Sequence, residues 1–181
     1  PDLSNTQIAI QALIDTGVDC EDDSIQNALV FLNRLQATEA NDLDAEQMAE
    51  HDGGFIYAPS LNSDNIHVPE SKANPEEMDE ALEGVPVSGL RTYGSMTYAG
   101  FKTLVYANLD RDDPRVQAAL GWIANNYELE VNPGMPEEMN LQGLFYYYIT
   151  MARALNAWGS NIEVNVERPV IYAHADAQHG A

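Results

Sequence analysis

Cationic side chains are scarce in this chain. Against 29 aspartates and glutamates it carries eight lysines and arginines, and only Lys72 and Lys102 are lysines, for a formal net charge of −21. A phosphate-tracking surface needs clustered Lys and Arg, so nucleic acid is excluded as a partner, and the acidic excess reads as a solvated surface. Cysteine is nearly absent too. With Cys20 alone, an internal disulfide framework and any multi-cysteine zinc site are excluded. Cys20 falls in an acidic stretch, where a bystander thiol is the reading. No apolar run approaches 18 residues and no signal-peptide pattern opens the given residues, so the sequence predicts no membrane span and leaves the compartment open. What is present is 45% apolar content over 181 residues, enough for one folded core.

An internal match organises that core. Ser4 to Gln36 aligns without a gap on Ser95 to Tyr127, at a spacing of 91 residues, with eight identities. They are Ser4/Ser95, Thr6/Thr97, Leu13/Leu104, Asp19/Asp110, Asp22/Asp113, Gln26/Gln117, Ala28/Ala119 and Leu29/Leu120. Each copy reads as two helices and a tight turn: Ile10, Leu13, Ile14 then Ile25, Leu29, Leu32 in the first, Phe101, Leu104, Val105 then Val116, Leu120, Ile123 in the second. Gly17 and Asn108 suit the left-handed residue that ends a helix. Asp113-Pro114 suits a helix start, with a carboxylate cap and proline in the first turn, and Asp22-Asp23-Ser24 supplies an acidic start in the first copy. A third, incomplete copy runs from Leu144 to Gly159. The prediction is an all-α protein of about three helical hairpins.

Between the copies lies an acid-rich insertion over 37–84. Pro59 to Pro69 has loop composition, Glu76 to Leu82 suits a short surface helix, and such insertions in helical arrays sit on one rim, as a lid or a loose segment. Near the C-terminus, Ile162–Val166 and Val170–Ala173 flank Glu167-Arg168-Pro169. That pattern predicts a small β-hairpin.

Asp52-Gly53-Gly54-Phe55, Gly94 to Gly100, Asp112-Asp113-Pro114-Arg115-Val116, Asn132-Pro133-Gly134-Met135 and Gly143-Leu144-Phe145-Tyr146-Tyr147-Tyr148 together resemble the prenyltransferase and squalene-oxidase repeat family. Within it they are similar to the terpenoid-cyclase-like proteins of bacteria such as planctomycetes, related to squalene-hopene cyclases. The resemblance implies an α/α toroid, with inner and outer rings of helices around a cavity. A full toroid needs about five or six hairpins, so the expectation is a partial toroid, either a fragment or a half-length relative, whose open edge favours self-association or closure by the remainder of a longer ring.

The resemblance also nominates residues. Asp110-Arg111-Asp112-Asp113 has the form in which class II cyclases hold a carboxylic acid protonated so that it can donate its proton to an alkene or epoxide, so Asp110, Asp112 and Asp113 are the catalytic candidates. The repeat offers a different role. Asp110, Asp112 and Asp113 align on Asp19, Glu21 and Asp22, so one acidic turn recurs in both copies, as a helix cap would. Aromatic positions on the helices assigned to the inner ring, Tyr93, Tyr98, Tyr146, Tyr147 and Tyr148, are candidates to line an apolar cavity, with Arg91, Glu70 and Lys72 near its mouth; core packing between the rings is the other reading of the tyrosines, and solvated ion pairing that of the three charged residues. No zinc set of prenyltransferase type can be traced, and no cofactor is implied. His174, Asp176 and His179 form a compact group that reads as a chain tail, with metal ligation as the alternative. The sequence therefore favours a module binding a small apolar or glycan-like ligand, or a protein partner, over a cyclase or prenyltransferase, with a purely structural assembly repeat as the third reading.

Overall fold

In a computed structural model of the chain, residues 2–39, 41, 48–58, 71–76, 89–159 and 162 are described. They form five α-helices: α1 Leu3–Asp15, α2 Asp23–Asn33, α3 Gly94–Tyr106, α4 Pro114–Asn125 and α5 Leu144–Trp158. One 3-10 turn, Glu137–Met139, precedes α5. Among the described residues pairing of β type is confined to isolated bridges. The predicted C-terminal hairpin, and most of the predicted helix Glu76–Leu82, lie outside the described residues.

Helix α3 is the centre of the molecule. It packs on α1, α4 and α5, while α1 also touches α2. Every residue from Gly94 to Leu104 is buried. A helix apolar on only one face could not be treated this way; Ser95, Thr97 and Thr103 manage it because each hydroxyl has a partner, Thr97 Oγ1 donating to Tyr93 O at 3.0 Å, Thr103 Oγ1 to Ala99 O at 2.8 Å, and Ser95 Oγ accepting from Asn132 Nδ2 at 2.9 Å. Aromatic contacts fix α5 against α3: Tyr98 and Tyr147 meet edge-on with centroids 5.7 Å apart, and Phe101 lies 5.3 Å from Trp158.

The two hairpin turns are built from the same hydrogen bonds, 91 residues apart. Val18 N–H donates to Leu13 O at 3.0 Å as Leu109 N–H does to Leu104 O at 3.2 Å, closing each first helix over a residue of positive φ, Gly17 at 90° and Asn108 at 58°. Asp19 Oδ1 accepts from Glu21 N–H and Asp110 Oδ1 from Asp112 N–H, both at 2.9 Å. Asp22 Oδ1 caps α2 through Ser24 N–H and Asp113 Oδ1 caps α4 through Arg115 N–H, again at 2.9 Å. Even the glutamine pair acts alike: Gln26 Nε2 reaches back to Cys20 O at 2.8 Å and Gln117 Nε2 to Arg111 O at 2.6 Å.

Of the acid-rich insertion over 37–84, residues 37–39, 41, 48–58 and 71–76 are described. Its described parts run through the core, with Phe55, Ile56, Ser71 and Ala73 fully buried. Phe55 lies on Gly100 of α3, where a Cβ would stand 2.6 Å from the ring, so the absent side chain is what admits it. The preceding turn is tied on all sides. Asp52 accepts from Gly54 N–H, Thr92 Oγ1 and Trp122 Nε1 at 3.0, 2.7 and 2.9 Å, while Gln36 Nε2 donates to Gly53 O at 3.0 Å and Arg115 O at 2.8 Å. Gly53, with φ 86°, passes so near α4 that a Cβ would lie 2.4 Å from Ala118 O. A segment rich in acid by composition thus contributes its apolar minority to the interior and its one Asp-Gly-Gly turn to the joint between α2, α3 and α4.

Candidate functional site

Three helices start at one place. The first N–H of α1, on Leu3, donates to Tyr57 O at 2.9 Å, and the first of α3, on Gly94, donates to Pro133 O at 2.8 Å. Helix α5 begins beside them at Gly143, whose φ of 67° turns the chain into the helix without a side-chain cap. Loops that seat these helix starts must stand over them, and the space left between loops and helix ends is a pocket of about 530 Å³. Its floor is Ser4, Ser95 and Met96; Tyr57, Lys72 and Pro75 come from the insertion; Asn132, Met135, Met139 and Gln142 from the α4–α5 connection; Tyr93, Gly143 and Tyr146 complete the wall.

The polar atoms of the floor are held in place. Asn132 Oδ1 accepts from Ser95 N–H at 3.1 Å and its Nδ2 donates to Ser95 Oγ at 2.9 Å, a reciprocal pair that caps α3 and locks the loop. The Tyr146 hydroxyl accepts from Gln7 Nε2 of α1 at 3.4 Å. Lys72, exposed at the mouth, lays its ammonium 4.6 Å from the centroid of Tyr57. It is the one charged side chain among the described residues of the wall.

Of the tyrosines nominated from sequence, Tyr93 and Tyr146 reach this pocket. Tyr98 and Tyr147 are core instead, and burial holds both phenols above the usual range. Tyr147 donates to Glu128 O at 2.7 Å, and the Tyr148 hydroxyl donates to Leu129 O, so both tyrosines tie α5 to the loop after α4. Arg91 faces elsewhere: its Nη2 pairs with Glu76 at 3.1 Å, and it borders a smaller, polar hollow of about 320 Å³ with Asp52 and Trp122. Sequence reasoning passed over Tyr57 and Met139 and quoted Met135 only within a motif of the resemblance, since loop residues carry no periodicity that could have flagged them for the pocket.

The acidic cluster lies at the other end of α3. A helix of 13 residues separates the α3–α4 turn from the pocket, roughly 20 Å at 1.5 Å per residue. Asp110 and Asp112 are exposed there. Asp113 is held below its ordinary carboxylate range, first by its hydrogen bond with Arg115, whose Nε and Nη2 grip the two carboxylate oxygens at 2.9 and 2.7 Å. A proton donor to an alkene needs the opposite shift. Arg111 leaves the turn to cover the end of α5, its guanidinium 3.9 Å from the Trp158 ring centroid and its Nη2 donating to Trp158 O at 2.6 Å.

Among the described residues no group of three or more His, Cys, Asp and Glu is placed to hold a metal ion, and no helix is long and apolar enough to cross a membrane. His174, Asp176, His179 and Glu70 lie outside the described residues. No family model, no curated protein and no solved structure is similar to this chain.

Proposed function

We propose that this chain is a binding module of the α/α-toroid kind that its sequence resembles, and that it takes a small molecule with an apolar body and an anionic head into the pocket at the starts of α1, α3 and α5. One observation carries the reading: in a chain with 29 carboxylates, the described wall of this pocket is tyrosine, methionine and small polar residues, with Lys72 its sole charge. The methionines give an adaptable apolar lining, the tyrosines flat faces, and the ammonium over Tyr57 a counter-charge at the mouth. The recurrence of one hydrogen-bonded turn at a 91-residue spacing, with α1, α3 and α5 side by side, supports the toroid comparison. The position of Asp110, Asp112 and Asp113 at the far end of α3, in capping turns, supports binding over cyclisation.

The test uses two dyes of one shape, anionic anilinonaphthalene sulfonate and neutral phenylnaphthylamine. Fluorescence titration should show saturable binding of both, the anionic dye tighter. Met135→Trp, which fills the pocket from its loop side, should abolish both signals, and Lys72→Met should remove the preference for the anion. Unchanged binding by Met135→Trp would refute the pocket; loss of the pocket signal with no effect of Lys72→Met would refute the anionic head.

A further inference from the structure

The pocket has two unlike ends. Lys72 stands exposed at the mouth, whereas Ser95 and Met96 at the floor are 3% and 2% exposed. The floor is a set of donors. Backbone N–H bonds in a helix point back toward its start, and those of the first turn have no intrahelical carbonyl to receive them. Here the N–H groups of Ser4, Met96 and Tyr146, one each from α1, α3 and α5, have no acceptor among the described residues, and all three residues line the pocket. The buried Ser95 hydroxyl joins them: its oxygen accepts from Asn132 Nδ2 at 2.9 Å, and its own proton has no acceptor among the described residues.

The caps sharpen this picture. Asp2, Asp22 and Asp113 place a carboxylate on the starts of α1, α2 and α4. Helix α3 is capped instead by the neutral Asn132, and α5 by no side chain. In a chain with 29 acidic residues, the two helix starts left without a counter-charge are two of the three that meet at the pocket.

We infer that the floor takes a carboxylate, so that the molecule bound is an α,ω-dicarboxylate: an apolar chain with one carboxylate against Lys72 and the other at the starts of α3 and α5. The inference rests on the pocket and the anionic head proposed above, and adds a second, inner charge. A carboxylate offers about four lone-pair directions, and the floor supplies as many donors in Ser4, Met96 and Tyr146 N–H and the Ser95 hydroxyl. Uncountered helix starts favour the charged group over a neutral carbonyl or hydroxyl in the same place.

Displacement of bound anilinonaphthalene sulfonate tests this at neutral pH and about 0.15 M salt, where screening over about 8 Å mutes the net charge of the chain. The competitors are saturated dicarboxylic acids of about six to twelve carbons, beside the monocarboxylic and ω-hydroxy acids of each length. At a length that spans mouth and floor, the diacid should displace the dye at a concentration roughly tenfold or more below that of the monoacid. Asn132→Asp keeps the acceptor for Ser95 N–H, and its second oxygen takes the Ser95 proton, so the variant should fold, still bind monoacids and lose the diacid advantage. Ser95→Ala, which lacks the hydroxyl donor, should cut the same advantage by another route. Equal displacement by diacid and monoacid at every length overturns the inference and leaves the pocket standing. So does an ω-hydroxy acid that matches the diacid, which would make the inner group neutral, and so does an advantage that survives both variants. Absence of dye binding, or binding unchanged by Met135→Trp, refutes the pocket itself and the inference with it.

Discussion

Lys102 should make this protein more stable as the solution turns mildly alkaline. It sits in mid α3, fully buried, with Nζ donating to Gln11 Oε1 of α1 at 2.9 Å and lying 5.7 Å from the centroid of Tyr106. Burial, and then the positive charge of Arg153, push its pKa from 10.5 down to about 8, with Asp15 pulling weakly the other way. The folded state therefore releases the proton first. Below about 8 both states are charged and the fold bears the full cost of an enclosed ammonium; as pH rises from about 8 towards 10.5 the folded chain is neutral while the unfolded chain still holds its proton, and stability climbs. At ~1.4 kcal/mol per tenfold change in proton affinity, the gain between pH ~7.5 and ~9.5 is about 2 kcal/mol, or about 1 after allowance for solvent screening. The window must stop short of pH ~10, because Tyr98 and Tyr147, raised by burial, begin to work in the opposite sense once unfolded tyrosines ionise. Lys102→Met keeps most of the aliphatic stem and removes the charge. Urea unfolding followed by circular dichroism at the two ends of the window should show the native chain gaining and the variant flat, with the variant the more stable of the two at neutral pH. Parallel pH dependence in the two proteins would show that Lys102 is not enclosed as described.

Two further outcomes follow from the joints between helices. Gly53→Ala must place a Cβ at positive φ and 2.4 Å from Ala118 O, so chemical denaturation should register a loss of roughly 3 kcal/mol or more, whereas Gly17→Ala, at φ 90° with open space around it, should lose about 1. Asp113→Ala should cost about 1 kcal/mol from the lost cap and free Arg115. Because the Asp113 carboxyl is held below its unfolded range, its contribution is present above pH ~4 and is lost as pH falls through the folded value, so the gap between native and variant should narrow in acid.

The helices and their turns were legible in the sequence because they are local. Periodicity marks a face, Asp22 and Asp113 mark helix starts, and Gly17 and Asn108 mark the left-handed step, all within reach of a few residues. Which tyrosines would face a pocket was not legible. Helix α3 is buried around its whole circumference from Gly94 to Leu104, so nothing in its pattern distinguishes Tyr98, turned to the core, from Tyr93 at the pocket. The burial of Lys102 has no local signal for a related reason: its enclosure depends on α1 and α5 arriving from 91 residues before and about 50 after. Where the described part of the insertion goes is set by Phe55 and Ile56, two buried apolar residues inside an acid-rich segment.

The Asp52–Phe55 joint has a bearing on how the chain reaches its native state. In a simple array each hairpin needs only its neighbour, and folding can start anywhere along the row. Here Phe55 must enter the notch at Gly100, and Asp52 must gather Thr92 and Trp122, before the second hairpin has its full interior. These contacts span 40 to 70 positions of the chain. The interior of the second hairpin is therefore completed by a short connecting segment from outside it, and closing those loops carries an entropic cost.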